Sequence, residues 1–415
     1  MGAVLPDLGN AEWLQWTAVR TIFAALDRDG DSARIVGGAV RNALLGRPVR
    51  ELDFATTATP DVVARRAEAA GLKVVPTGVE HGTLTLVGSG LGYEVTTLRQ
   101  DIQTDGRHAV VRFGRDWEAD ARRRDFTVNA LSVDAGGKVY DPIGGYPDIL
   151  ARRIRFIGDP DRRIAEDRLR ILRLFRFHAE YGSGDLDRDG LSAAIRARDG
   201  LRELSAERIG QEMRRLVVAP RAPETIAIMQ ESGILTLVFA GIGYLAPLAR
   251  LAAFEASVGA APTPAPRLTA LSCRIEEDVE RLAARLRLAN SERDRMLGAL
   301  AAARRFAIFP DERVARVALY RLGAAAYRDG VALALAWSGA PPDASDWRDL
   351  YRLPERWMPP VFPLGGRDVL GEGMERGPAI GLLLRSLETW WIEQDFTPDE
   401  AALRTRLQRM IAAQQ

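Results

Sequence analysis

Hydrophobic and polar positions along this chain follow different periods in its first third and in the remainder, and the change divides it. Trp13, Trp16, Val19, Ile22, Phe23 and Leu26 recur every three or four residues, which predicts one amphipathic helix over residues 11–26. The pattern then shortens. An apolar strand end at Ile35-Val36 meets the glycine pair Gly37-Gly38, and a short helix from Ala39 to Leu45 follows. After the break at Gly46-Arg47-Pro48 comes a second extended segment carrying Glu51 and Asp53. Residues 60–70 read as a helix that starts at Asp61 and stops at Gly71. Residues 73–76, 82–88 and 93–98 read as three strands separated by glycine turns. Residues 100–118 are polar and aperiodic and read as a long loop. Beyond residue 150 helical spacing takes over, with Pro/Gly breaks near 260–266, 340–342 and 359–378. The expected fold class is α+β. A mixed α/β part with a small sheet covers residues 1–150, a helical part 151–218, and a second helical part 219–415.

At 415 residues the chain is too long for one ordinary core, and its 47% hydrophobic and 27% charged content is that of a globular protein. A net charge of +1 excludes a bulk polycation, so any basic surface for nucleic acid must be local. Lys73 and Lys138 are the only lysines. Arginine dominance favours bidentate phosphate contacts, although a GC-rich coding bias accounts for it equally well. Cys273 is the only cysteine, which rules out an intramolecular disulfide or a cysteine-based zinc site and fits a reducing cytosol. No basic segment followed by an apolar core opens the chain, and the uncharged stretch between Glu231 and Arg250 is interrupted by Gly241, Gly243 and Pro247. A cytoplasmic protein with no membrane span is expected.

Candidate chemistry concentrates in three places. Glu51 and Asp53 share one face of an extended segment, and two adjacent carboxylates are commonly compensated by a divalent cation. Hard oxygen donors suit Mg²⁺, which keeps waters and takes further ligands from phosphates. Taken alone, an acid-x-acid pair is more often a solvated strand edge. Gly37 and Gly38 remove side chains where a phosphate would approach, the following helix offers unpaired N–H groups, and Arg41 lies one turn further on. Glu94, on the last of the three strands, is either a third carboxylate that activates an attacking hydroxyl or a partner of Arg99. In the run Arg122–Asn129, Arg124 can hold triphosphate oxygens, while Asp125 and Asn129 can hydrogen-bond sugar hydroxyls. Over residues 165–177 Asp167, Arg170, Arg173 and Arg176 recur every third position on what reads as one helix. At about 100° per residue Asp167 and Arg170 stand about 60° apart. An Asp acceptor beside an Arg donor can mimic a Watson–Crick edge, since cytosine and adenine each offer an exocyclic amino donor next to a ring-nitrogen acceptor. An internal salt-bridge network is the other reading.

Asp105, Arg107 and His108 fall on the expected loop, His108 as a plain loop residue. Residues 205–216 read as a helix capped by Ser205 and carrying Glu207, Arg208 and Glu212. Arginines 287, 293, 295, 304, 305, 313 and 316 offer a basic strip for an RNA stem, with acids interspersed. The three histidines, His81, His108 and His178, form no His-Asp dipeptide, which excludes a metal-dependent HD phosphohydrolase domain.

In order, the strand, Gly37-Gly38, Arg41, Leu44-Leu45-Gly46-Arg47-Pro48 and the acid-x-acid pair resemble the signature GGxVR(D/N)xLLGRPxxDxDF of the class II tRNA nucleotidyltransferase and bacterial poly(A) polymerase family. Glu51 stands where that signature has its first Asp. RRDFTxNAL at 123–131, the turn Asp141–Gly145 and EDxxRxxRxxRF at 166–177 match further motifs of the family. The resemblance implies a polymerase-β-like nucleotidyltransferase head followed by an all-α neck, body and tail. It also implies attack of an RNA 3′-hydroxyl on a nucleotide α-phosphate with release of pyrophosphate. Glu51 and Asp53 would then hold Mg²⁺, with Mn²⁺ as the alternative, and Glu94 would help activate the hydroxyl. Gly37, Gly38, Arg41 and Arg124 would hold the triphosphate, Asp125 and Asn129 the sugar, and Asp167 and Arg170 the base, with Arg173 and Arg176 bracing that pair or reaching phosphates. The loop at 100–118 would affect the switch from adding C to adding A. The implied partners are tRNA lacking its CCA end, CTP and ATP; the oligomeric state is left open. Poly(A) synthesis, partial CC or A addition, and a weakened RNA-binding paralogue marked by Glu51 are the alternatives.

Overall fold

The computed structural model describes residues 4–78, 82–105 and 108–413, and of residues 100–105 and 108–112 the backbone alone. His81 and Arg107 lie outside the described residues, as do the side chains of Asp105 and His108.

Among the described residues there are nine strands: β1 (Ala33–Val36), β2 (Asp53–Thr56), β3 (Lys73–Gly78), β4 (Thr83–Gly88), β5 (Leu91–Thr97), β6 (Arg99–Asp105), β7 (His108–Phe113), β8 (Ser132–Val133) and β9 (Val139–Tyr140). Seven of them form one mixed sheet in the order β3-β4-β5-β2-β1-β8-β9, in which only β2 and β5 run parallel. β6 and β7 pair as a separate hairpin. This corrects the expected loop at 100–118. The backbone hydrogen bonds of a two-stranded ribbon need no alternation of side chains, so the sequence carried no period-2 signal there.

Helices α1 (Thr17–Leu26), α2 (Gly38–Leu44), α3 (Pro60–Ala69), α4 (Trp117–Arg123) and α5 (Tyr146–Leu150) accompany the sheet. Phe54 on β2 meets Phe23 of α1 edge-on at 5.2 Å and Tyr93 of β5 at 6.3 Å, so the inner face of the sheet is sealed by aromatic rings. The single helix expected over residues 11–26 is instead a 3₁₀ turn at Glu12–Gln15 followed by α1, because Trp16 is extended (φ −60°, ψ 133°). Trp13, Leu14, Val19, Ile22, Phe23 and Leu26 are all buried. Their spacing survives the break, which is why the pattern hides it.

Helices α6 (Pro160–Glu166), α7 (Arg170–Tyr181), α8 (Arg188–Ala197), α9 (Ala206–Val217), α10 (Ala222–Glu231) and α11 (Ile234–Phe239) complete a compact unit of Met1–Gly243 with Arg285–Arg287. The helix expected over residues 165–177 is broken. Asp167 is extended (φ −154°, ψ 108°) and its carboxylate accepts the Leu169 N–H at 3.0 Å just ahead of α7. Aspartate favours this local bond over continuing a helix. Phe126 joins the two motif-bearing regions, fully buried with its ring 4.9 Å from Phe156 and 5.1 Å from Phe177. Ser205 precedes α9 but its side chain makes no capping hydrogen bond.

The second compact unit, Tyr244–Ala284 with Leu288–Gln415, is helical: α12 (Leu245–Val258), α13 (Pro264–Ser272), α14 (Glu276–Leu286), α15 (Asn290–Arg305), α16 (Glu312–Ser338), α17 (Ser345–Tyr351), α18 (Leu353–Arg356), α19 (Gly366–Gly371), α20 (Pro378–Glu393) and α21 (Glu400–Ala412). One core gathers α15, α16 and α17 around Phe306, Tyr327 and Trp347, and another gathers α20 and α21 around Leu387, Trp391 and Leu407. Within this unit several arginines of the expected basic strip are paired with acids. Arg293 pairs with Glu280 and Asp294, Arg295 with Asp329, Arg304 with Glu276, and Arg316 with Glu312 and Asp395. Among the described residues no helix is long and apolar enough to cross a membrane.

Candidate active site

β1 ends at Val36, and the chain turns back at Gly37 with φ +70° and ψ −120°, a conformation that L side chains rarely adopt. A Cβ at Gly37 would stand 3.2 Å from Arg124 Nη1, so the glycine both makes the turn and lets that guanidinium approach the backbone. Gly37→Ala is expected to destabilise the chain by roughly 1–2 kcal/mol through strain at positive φ. It should also raise the nucleotide KM several-fold by displacing Arg124. Thermal melting together with a KM-against-kcat comparison checks both effects.

Directly across the sheet, Asp53 opens β2 opposite Val36 and sits in parallel register with Glu94 of β5. Period-2 alternation turns Phe54, Tyr93 and Val95 inward, leaving Asp53 and Glu94 on the opposite, solvent-reached face. Glu51 lies in the irregular segment before β2 and not on the strand itself. Asp53 is pushed above the ordinary carboxylate range by partial burial and by the charges of Glu94 and Glu51, with Arg124 acting against them. Among the described residues no three Asp, Glu, His or Cys side chains stand in metal-holding geometry. The available donors are carboxylates that repel one another. That set fits a hard divalent cation of the kind held by one or two carboxylates together with substrate phosphates.

Arg41 of α2 is buried, unlike a guanidinium waiting in solvent. Its Nη1 donates to Asn129 Oδ1, its Nε and Nη2 reach Asn42 Oδ1, and its plane stacks on Tyr181 at 3.8 Å. Asn129 in turn donates to Asp125 Oδ1 at 3.0 Å. Asp125 Oδ1 also accepts the Phe126 N–H, and Oδ2 accepts Arg173 Nε at 2.7 Å. Burial works to raise the Asp125 carboxyl, but Arg173 and the hydrogen bonds from Asn129 and Phe126 hold it below the ordinary range. Arg41 and the two expected sugar contacts, Asp125 and Asn129, are therefore joined with Arg173 in one network that runs from α2 to α7.

The two members of the expected base-reading pair hold different partners. Asp167 Oδ2 accepts Arg208 Nη2 of α9 at 2.7 Å, whereas Arg170 Nη1 donates to Glu166 Oε2 at 2.6 Å. Arg173 lies between Asp125 and Glu212, and Arg176 donates to Glu212 Oε2 and stands 4.3 Å over Phe177. Arg124 donates to Asp120 Oδ2 at 3.1 Å. Arg163, Arg208, Glu212 and Tyr181 thus belong to the site's framework. Sequence spacing offered a signal only for the local pairs Arg163–Glu166 and Glu166–Arg170, at i,i+3 and i,i+4.

Residues 33–155 match the Poly A polymerase head domain family. Over 405 residues the chain is 31% identical to CCA tRNA nucleotidyltransferase 1, mitochondrial, of Mus musculus, covering 94% of this chain and 90% of that one. A segment of 217 residues is 41% identical to the CCA-adding enzyme of Geobacillus thermodenitrificans, about half of each chain at 52%. The crystal structure of the Bacillus stearothermophilus CCA-adding enzyme in complex with CTP superposes with a TM-score of 0.73 at 27% identity, covering 95% of this chain and 96% of that one. The Thermotoga maritima CCA-adding enzyme complexed with tRNA shares the fold, with a TM-score of 0.71 at 19% identity over 98% of this chain and 99% of that one. With a polymerase-β-like head, helical regions after it and a relative matched over nearly the whole length of both chains, the protein belongs to the CCA tRNA nucleotidyltransferase family.

Proposed function

We propose that this chain completes the 3′ end of tRNA, adding CCA from CTP and ATP without a nucleic-acid template. The carrying observation is the meeting, in one unit, of the Asp53/Glu94 carboxylates, the Gly37–Arg124 approach and the Glu166–Arg170 segment, in a chain of this family. Residues 1–150 serve as the catalytic head, 151–218 as the base-selecting neck and 219–415 as the tRNA-binding body and tail. Arg124 holds triphosphate oxygens beside Gly37, and Arg41, set by Tyr181 and Asn129, lends positive charge beneath the turn. Asp125 and Asn129 lie within reach of the ribose. Asp167 and Arg170 read the base once a nucleotide competes for their present partners. Glu94 accepts the proton of the attacking 3′-hydroxyl as its oxygen bonds to the α-phosphorus, and the bond from that phosphorus to the β-phosphate oxygen breaks to release pyrophosphate. Glu51 and Asp53 would hold a divalent cation, for which we propose Mg²⁺; when bound it neutralises charge developing on the phosphates. We assign the activity to the cytoplasm, where the lone buried thiol of Cys273 stays reduced.

End-extension of tRNA transcripts stopping before CCA, after C and after CC tests the reading. Each is incubated with Mg²⁺ and CTP, ATP, both, or UTP with GTP. Stepwise completion to CCA followed by arrest is expected. Long A tails would assign poly(A) synthesis instead, and a stop after CC would assign a partial enzyme. Glu51 carries its charge about 1.5 Å further out than Asp would, while Mg²⁺ demands near-ideal octahedral geometry. Glu51→Asp is therefore expected to raise the Mg²⁺-supported rate relative to the Mn²⁺-supported one. An unchanged ratio in steady-state kinetics would show that the extra methylene is absorbed by the backbone.

A further inference from the structure

Between the phosphate-holding and base-reading ends of this site lies Arg163, in the last turn of α6 and only 8% exposed. Its Nη1 donates to Glu166 Oε2, and its Nη2 donates to the main-chain carbonyls of both Arg123 and Arg124, some forty residues earlier. The same Glu166 oxygen accepts Arg170 Nη1, which also donates to the Arg163 carbonyl at 2.8 Å. One carboxylate oxygen thus sits between two guanidiniums, one anchored to the backbone beside Gly37's neighbour Arg124 and the other belonging to the base-reading motif.

An ordinary helix-surface pair would not look like this. Such pairs are exposed, contribute a few tenths of a kcal/mol and make no distant main-chain bonds. Here two largely buried guanidiniums share one oxygen of a single acid, whose other oxygen meets the exposed Arg162, and crowding like charges in this way is unfavourable unless the geometry itself is needed. Arg163 Nε is buried without an acceptor among the described residues, a further cost borne at this position. We propose that Arg163 is a positioning residue for nucleotide selection: through Glu166 it sets the Arg170 donor at a fixed distance from the Arg124 backbone. A base that satisfies Arg170 then brings its own α-phosphate into line, and one that does not is displaced at the phosphate end as well. This rests on the functional reading above, in which Arg124 holds the triphosphate and Arg170 reads the base.

The test compares the full chain with Arg163→Met, Arg163→Lys, Glu166→Gln and the Met/Gln double variant. Equilibrium binding of CTP, UTP and inorganic tripolyphosphate is measured with Mg²⁺, alongside single-turnover incorporation on tRNA lacking CCA and thermal melting. Arg163→Met is expected to reduce the CTP-over-UTP preference by about tenfold or more, the scale set by losing one fixed polar contact in a selective pocket. Tripolyphosphate affinity should change by less than about threefold. Glu166→Gln should show the same loss, and the double variant should add little to it, because both act through one contact chain. Arg163→Lys should recover part of the preference, since an ammonium can meet Glu166 but cannot fork to two carbonyls. CTP, UTP and tripolyphosphate weakened by one common factor would reduce Arg163 to a structural role and overturn the proposal, as would an unchanged preference. Should Arg163→Met melt out, Glu166→Gln decides alone. A parent chain that binds CTP over UTP but extends no tRNA would sink the functional reading, while the binding ratios still judge Arg163.

Discussion

Asp53→Asn is expected to lower nucleotidyl transfer by about a thousandfold or more, since it removes a cation-binding charge needed in the transition state. The folded chain should survive the change. Asp53 is raised above its ordinary value by partial burial and by Glu94 and Glu51. A carboxyl raised in the folded state contributes stability that is fully present below its unfolded pKa and is lost as pH rises through the folded value. At neutral pH without added cation, the ionised Asp53 therefore works against folding, and Asn relieves that repulsion. Because the carboxyl is solvent-reached, screening keeps the gain small. The variant should accordingly melt no lower than the parent in chelator. Adding a divalent cation should raise the parent's melting temperature more than the variant's, since only a ligand bound to the native state shifts the equilibrium. Melting curves with and without cation, set beside single-turnover rates, check the pair of effects. Retention of more than about a tenth of parental activity would remove Asp53 from the catalytic centre.

Asp125→Ala should produce the largest loss of stability in the head, about 3–5 kcal/mol, the range for removing one partner of a buried ion pair. Three donors lose their acceptor at once: Arg173, the Asn129 amide and the Phe126 N–H. Asn129 also holds Arg41, so the disturbance should spread to α2 and raise the nucleotide KM. Since Arg173 and these hydrogen bonds hold the Asp125 carboxyl below its ordinary value against the effect of burial, the sign with pH is opposite to that of Asp53. The stability it contributes is complete above the unfolded pKa of about 3.9. It is lost as pH falls through the lower folded value. Denaturant titrations across the acid range should show a steeper decline in the parent than in the variant. Equal slopes would assign the stability to packing around Phe126 and not to the carboxylate.

These two aspartates show how much of the site was legible beforehand. Asp53 is legible because strand alternation is local: an apolar Phe54 directed inward leaves Asp53 on the outer face wherever the strand goes. The motif marks Asp125 as a sugar contact, but its burial against Arg173 depends on Phe126 being seated between Phe156 and Phe177, which no local period reports. Its spacing from the glycine pair likewise puts Arg41 near phosphates, while its stacking on Tyr181 joins residues 140 positions apart and has no signature in the sequence.

What the sequence determined by itself is the order of elements from β1 to β5, the glycine turn before α2, the alternation on β2 and β5 and the family signatures, because these rest on backbone sterics and on side-chain periods of two and 3.6. The tertiary structure decided the parallel pairing that sets Asp53 beside Glu94, the break at Asp167 and the exchange of partners that follows from it. Asp167 goes to Arg208 and Arg170 to Glu166. A helix period assumes that the helix continues. Whether a capping aspartate interrupts it is settled by competition among hydrogen-bond partners, and one of these here, Arg208, arrives from a helix, forty-one residues along the chain.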